Sequence, residues 1–353
     1  MAEIKGVRAE QNDCGTFKPL MMNDFKLPLV GLATSYCEFS KEDPEAEIRQ
    51  LRGGLKRLLA TELAMARCEF GRLKGYYETL DMADPLYLAG VTNCVVGALG
   101  RGDLKLFDLI LKDLRRYPEV NRHPEARLGQ EITEAWIRQF LRVRKGYPEW
   151  MTRIDLTRIP EEWKRTCAYL GVKGLLRRQN YDSAYAAATM LLNFDRQRDV
   201  LAALPTYERL VCAHACHELG RKEEAFYWLR RTAEMTCPHG IILPYLLLSV
   251  RVGPVMEDAI REVSPEAVAQ VRRLAPQFFA NLIRFRNHFT GEKVTTVLTP
   301  REFYIALELC DGHSYKDLAE KLDLSASRIG KQVQVIFSKL GINRKDQLAK
   351  FVW

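Results

Sequence analysis

From about residue 45 onward the apolar residues of this chain recur at helical intervals, and no run of alternating apolar and polar positions marks a strand. Segment 207–235 shows the pattern most clearly. Leu210, Val211, Ala213, Cys216 and Leu219 share one face of a first helix. Gly220 then ends it, because glycine accepts the positive φ of a helix C-terminus. Glu223 and Glu224 suit the N-terminal dipole of a second helix, whose inner face is Ala225, Leu229, Thr232 and Ala233 and whose end precedes Pro238. Fainter pairs are expected over 87–118 with a turn at Gly102, over 167–194 with a turn at Asn180–Asp182 ahead of Ala184, and over 60–83 with a turn near Gly71. Pro244, Pro254 and Pro265 punctuate shorter helices beyond them. Ser264 is an N-cap with Pro265 at the first helical position. Its helix is expected to reach Pro276, with a second from there to about Arg286.

The ends of the chain read differently. In residues 1–44, Pro19, Pro28 and Pro44 break any long helix, and Leu27–Ala33 is either a short strand or an extended packing segment. Residues 288–297 carry Gly291 and three threonines and read as a linker. After it, four short helices have physical boundaries. Thr299 caps the first, with Glu302 at capping-box spacing, and Gly312 ends it. Ser314 caps the second, which runs to Leu322. Ser325 caps the third, which runs to Leu340 and stops at Gly341, and the fourth starts near Lys345. Helices two and three, joined by Asp323-Leu324, form a helix-turn-helix whose shared core includes Leu318, Ala319, Leu324, Ile329, Val333 and Ile336. From Leu324 to Lys345 there is no acidic residue, while Arg328, Lys331, Lys339, Arg344 and Lys345 are basic. Cations attract phosphates, and amides such as Gln332 and Gln334 read base edges.

Two resemblances attach to these residues. Segment 207–235, with small Ala213 and Ala225 where the helices approach and Gly220 at the turn, resembles a tetratricopeptide repeat, although Arg209 replaces the family's leading Trp and Cys237 its usual proline. Such repeats stack into a solenoid with a concave groove for a peptide, protein or small ligand. The run LTPRE, Gly312, Ser314–Leu322, Ser325 and KLGI resembles the LuxR-type (GerE-like) DNA-binding domain, over about 298–350. That resemblance implies a third helix in the major groove and a fourth that contributes to dimerisation. It places Lys331, Gln334 and Ser338 at groove-facing sites and Arg328 where a Thr usually meets the backbone. Gly330 replaces a common Lys or Arg, and Gln332 a frequent His. The combination is similar to the C-terminal half of MalT-like regulators, but those carry an ATPase, and no GxxxxGK[ST] phosphate loop occurs here.

The reading is therefore an all-α chain. It has an N-terminal segment (1–44), a tetratricopeptide-like sensor or interaction domain (45–287), a linker (288–297) and a LuxR-type helix-turn-helix domain (298–353). The candidate DNA-binding residues are Ser325, Arg328, Lys331, Gln332, Gln334, Ser338, Lys339 and Lys345. The expected partners are double-stranded DNA, an effector in the helical domain and a second copy of the chain. A formal charge of +8 is compatible with an anionic partner. Nine scattered cysteines are no disulfide framework and point to a reducing, cytoplasmic setting, and no apolar run is long enough to span a bilayer. Cys212, His214, Cys216 and His217, with Cys237 and His239 beyond, raise the question of zinc. Their intervals are not those of structural zinc sites, and packing is the expected role of the two helix cysteines. No nucleophile–base pair or carboxylate cluster suggests an enzyme, and no cofactor is expected. The alternative function is a helical scaffold whose C-terminal domain docks protein.

Overall fold

The computed structural model describes residues 27–30, 43–143, 146–193, 201–291, 298–340 and 342–352. These residues form sixteen α-helices and no strand. Leu27–Val30 is extended and unpaired as a strand. It is fixed by the Leu29 N–H donating to Pro85 O (2.6 Å) and by the Trp163 indole N–H donating to Pro28 O (3.0 Å). Leu29 and Val30 are buried, so this is the packing segment and not the strand; residues 31–33 lie outside the described set.

Helices α1 (Pro44–Gln50) and α2 (Gly53–Ala66) lead into two 3₁₀ turns, Phe70–Leu73 and Tyr77–Thr79. The helix pair expected over 60–83 therefore lacks its second α-helix. The cause is close packing against α3 (Tyr87–Arg101). An added Cβ on Gly97 would stand 2.7 Å from Leu73, and one on Gly100 2.3 Å from Phe70, so the segment lies flat on the glycine face of α3. Helix α3 is buried from Tyr87 to Leu99 and forms the centre of the domain.

Gly102 takes φ +71° and turns α3 into α4 (Leu104–Val120), capped by the Asp103 side chain, as the pattern required. Helices α5 (Ala126–Phe140) and α6 (Glu149–Arg153) follow. The pair α7 (Glu161–Arg177) and α8 (Tyr181–Asn193) turns at Gln179, φ +59°. The pair α9 (Ala203–Glu218) and α10 (Lys222–Thr236) turns at Gly220, φ +74°. Ala213 and Ala225 are completely buried, and so are Leu229, Thr232 and Ala233, which lets α9 and α10 pack along their length.

Pro244 lies in the first turn of α11 (Leu243–Arg261), and Ser264 caps α12 (Pro265–Thr290) with Pro265 at its first position, as expected, but Pro254 and Pro276 lie inside helices. Helix α11 passes Pro254 with a kink, its backbone leaving helical geometry at Val252 (φ −124°, ψ 28°). Helix α12 continues through Pro276, where two helices were expected. An interior proline costs about 3 kcal/mol. Here that loss is outweighed by Phe278, Leu282 and Phe285, buried beyond it. The same helix carries His288, Phe289 and Thr290, so the segment expected to be a linker from His288 is helical for its first three residues and is capped by Gly291 at φ +71°.

Helix α12 also closes the architecture. It returns to α3 and α4, where Asn281 Nδ2 donates to Leu99 O (2.8 Å) and Phe285 meets Phe107 with ring centroids 5.0 Å apart. Helices α2 to α12 therefore share an apolar core that runs from Val30 to Phe289, with a second cluster under α1 and α2.

Candidate nucleic-acid interface

The C-terminal domain consists of α13 (Pro300–Cys310), α14 (Tyr315–Leu322), α15 (Ala326–Leu340) and α16 (Lys345–Val352). Local chemistry sets each start. At α13 the Glu302 N–H donates to Thr299 Oγ1 (3.3 Å) and the Thr299 N–H donates to Glu302 Oε2 (2.7 Å). The same reciprocal cap joins Ser314 and Asp317 at α14. The Arg328 N–H donates to Ser325 Oγ (3.2 Å) at α15. Between α14 and α15, Asp323 takes φ +52°, and the Leu324 N–H donates to Ala319 O (2.9 Å), closing the tight turn between the two helices. Leu318, Ala319, Ile329, Val333, Ile336 and Leu348 are buried together.

Helix α15 is sharply divided. Ile329, Val333 and Ile336 face the core, while Ser327, Arg328, Lys331, Gln334, Val335 and Ser338 are exposed. These exposed positions recur at three- and four-residue steps and so form one stripe. Among the described residues neither Arg328 nor Lys331 has an ion-pair partner. Ser325 is exposed at the cap. Gln332 sits elsewhere: it is half-buried, and its Oε1 is enclosed without a hydrogen-bond partner. Lys339 Nζ donates to both Glu302 oxygens (2.8 and 2.9 Å), tying α15 to α13. Burial pushes the Glu302 carboxyl up, but the Lys339 and Thr299 hydrogen bonds outweigh it and hold the carboxyl below its ordinary value. Lys345 is exposed, and its Nζ donates to His313 O (3.2 Å). The eight residues thus divide into an outward stripe (Arg328, Lys331, Gln334, Ser338), two at helix starts (Ser325, Lys345) and two turned to other tasks (Gln332, Lys339). Val335 and Tyr315, which the sequence pattern placed in neither the core nor the interface, are exposed.

The opposite side of this domain is docked on the helical domain. Ile283 of α12 belongs to the C-terminal core, and the Arg286 guanidinium lies 5.6 Å from the Phe303 ring centre. Helix α14 packs against α11, Gln179 Nε2 donates to Asp311 O, and Lys222 pairs with Glu320 (3.2 Å). At the centre of the contact Lys321 Nζ donates to Glu218 (2.6 and 2.9 Å) and Glu308 (3.0 Å). His313 Nε2 lies 3.2 Å from Glu218, and His214 Nε2 3.6 Å from it. Both carboxylates are almost wholly buried. Burial pushes Glu218 up, but His214, His313 and Lys321 reverse this and hold it far below the usual carboxylate range. The Glu218 hydrogen bond raises the His313 pKa against burial and Lys321.

The cysteines take the packing role. Cys212 and Cys216 are fully buried, burial pushes the Cys216 thiol up to about 12 and Cys212 higher still, and Cys216 meets Glu224 (3.6 Å). Among the described residues the groups near enough to share an ion are Glu218, Glu308 and His313, with the Lys321 ammonium among them, and not the cysteines. Two pairs of adjacent arginines sit on solvated faces: Arg230 and Arg231 pair with Glu234, and Arg272, beside Arg273, with Glu257, whereas Arg177 is half-buried and donates to Gln139 O.

No family model, no curated protein and no solved structure matches the chain. No helix among the described residues is long and apolar enough to cross a membrane.

Proposed function

We propose that the protein is a transcriptional regulator of the LuxR type that binds duplex DNA through the outward stripe of α15, with a tetratricopeptide-like domain as its sensor. One observation carries this reading. The helix is packed on one side by its own domain and presents Arg328, Lys331, Gln334 and Ser338 on the other, with no acidic residue from Leu324 to Lys345. Cations there meet phosphates, Gln334 reaches a base edge, and Val335 offers an apolar contact of the kind a thymine methyl accepts. A second copy of the chain supplies the second half-site, one helical turn away or a multiple of it.

The test is duplex selection from genomic fragments at several salt concentrations, with wild type and Lys331→Ala/Gln334→Ala. Enrichment of discrete sites by wild type, lost in the double variant, supports the regulator. Each neutralised phosphate should contribute a slope of about −0.9 to log affinity against log salt. A second reading is favoured by the docking of α14 on α9–α11: the C-terminal domain is a protein-binding module and the chain an adaptor. Failure of both proteins to enrich any duplex would favour it.

A further inference from the structure

A partly open cavity of about 140 Å³ lies between α5, α7, α9 and α11 of the helical domain. Trp136, Phe140, Tyr169 and Tyr207 give it aromatic walls. Arg142, Lys173 and Arg177 put three cationic side chains on its lining, and among the described residues that lining contains no carboxylate. Lys173 and Arg177 stand four residues apart on α7, one turn above the other. Arg177 donates to Gln139 O, and Arg142 to Leu247 O (3.3 Å), so both guanidinium groups are held at the lining by main-chain carbonyls. A cavity of roughly 150 Å³ with apolar walls accepts a benzene-sized molecule. A body of that size with one anionic group is the occupant that fits both the walls and the charge.

The cavity also reaches the DNA-binding domain. Leu307 of α13 forms part of its lining, and so does His214, whose ring lies 3.6 Å from the Glu218 that holds Lys321 and His313. We infer that this cavity is the effector site of the protein, that its ligand is a small monocarboxylate with one ring or a short chain, and that occupancy alters the docking of the C-terminal domain through Leu307 and His214. The ligand site stands on the cavity alone; its consequence for DNA rests on the regulator reading.

The experiment titrates the protein with phenylacetate, hexanoate and the neutral isostere phenylacetamide, following intrinsic tryptophan fluorescence and thermal unfolding. At least one of the two carboxylates should bind saturably and raise the melting temperature. Phenylacetamide should bind about tenfold more weakly than phenylacetate, the size of one lost charge-assisted hydrogen bond. Lys173→Gln, which keeps a polar half-buried side chain, should reduce that preference while leaving the melting temperature of the free protein close to wild type. Equal binding of acid and amide, an unchanged preference in Lys173→Gln, or no saturable binding of either carboxylate by folded protein would overturn the site. Duplex binding is read separately. Carboxylate binding that leaves duplex affinity unchanged in a protein that does bind DNA removes the coupling. Carboxylate binding by a protein that selects no duplex keeps the site and removes the regulator.

Discussion

Two faces of the C-terminal domain carry charge, and they use it in opposite ways. On α14 and the α13–α14 turn, Lys321 and His313 are turned into the body of the molecule, where two buried carboxylates, Glu218 and Glu308, hold them. On α15, Arg328 and Lys331 are exposed and have no such partner among the described residues. A buried ion pair has lost its water, so removing one partner leaves the other stranded. An exposed cation loses almost nothing when removed, unless something anionic comes to meet it. The comparison separates the residues that hold the domain in place from those available to a partner.

The largest effect should come from Lys321→Met. It strands Glu218 and Glu308 in a buried contact and should lower stability by about 3–5 kcal/mol. Denaturant unfolding should register the loss, and hydrogen exchange should place it in α9, α13 and α14. A loss below about 1 kcal/mol would mean that water reaches the contact and that the two faces do not differ as described.

Acidity sharpens the same contrast. The His313 pKa is raised above its ordinary 6.5, so its contribution is fully present below about pH 6.5 and is lost as pH rises through the raised value. The Glu218 pKa is lowered from its ordinary 4.5, so its contribution is present above about pH 4.5 and is lost as pH falls through the depressed value. His217, lowered by burial, opposes His313 below pH 6.5. His214, Lys222, Glu308, Asp317, Glu320 and Lys321 are the other charged or titratable groups around His313. The difference in stability between wild type and His313→Gln should therefore shrink on the alkaline side. A difference that stays flat with pH would show that His313 acts by shape alone.

Smaller effects belong to α15. Gly330 has helical φ, and an added Cβ would meet the Tyr315 ring only at 3.9 Å, an ordinary contact. Gly330→Ala should raise stability by about 1 kcal/mol or less. If it also weakens duplex binding, the bare backbone at this point belongs to the interface. Arg328→Ala should change stability least, within about 0.5 kcal/mol, while lowering duplex affinity and its salt dependence. A large stability loss would place Arg328 with the docking face and not with the outward one.

Much of this layout was legible in the chain. The starts of α13, α14 and α15 follow from Thr299, Ser314 and Ser325, because a cap is a bond between residues three apart. The turns at Gly102 and Gly220 follow from the freedom of glycine at positive φ. The outward stripe follows from helical spacing, which placed Lys331, Gln334 and Ser338 together, but the same spacing could not tell that Gln332 is half-enclosed or that Lys339 reaches Glu302 on α13. The second helix over 60–83 and the break at Pro276 failed for one reason: close packing on α3 overrode helical pattern in the first case, and burial of Phe278 and Phe285 overrode proline in the second.

The sequence by itself determined the helices, most of their ends and the division of α15 into packed and exposed faces, since these depend on residues within one or two turns of each other. Only the tertiary structure decided that α12 closes the helical domain on α3, that Lys321 meets Glu218 across 103 positions of chain, and that Leu307 completes a cavity in another domain. Such contacts join groups whose separation along the chain carries no periodic signal, and only burial of the shared apolar core brings them within reach.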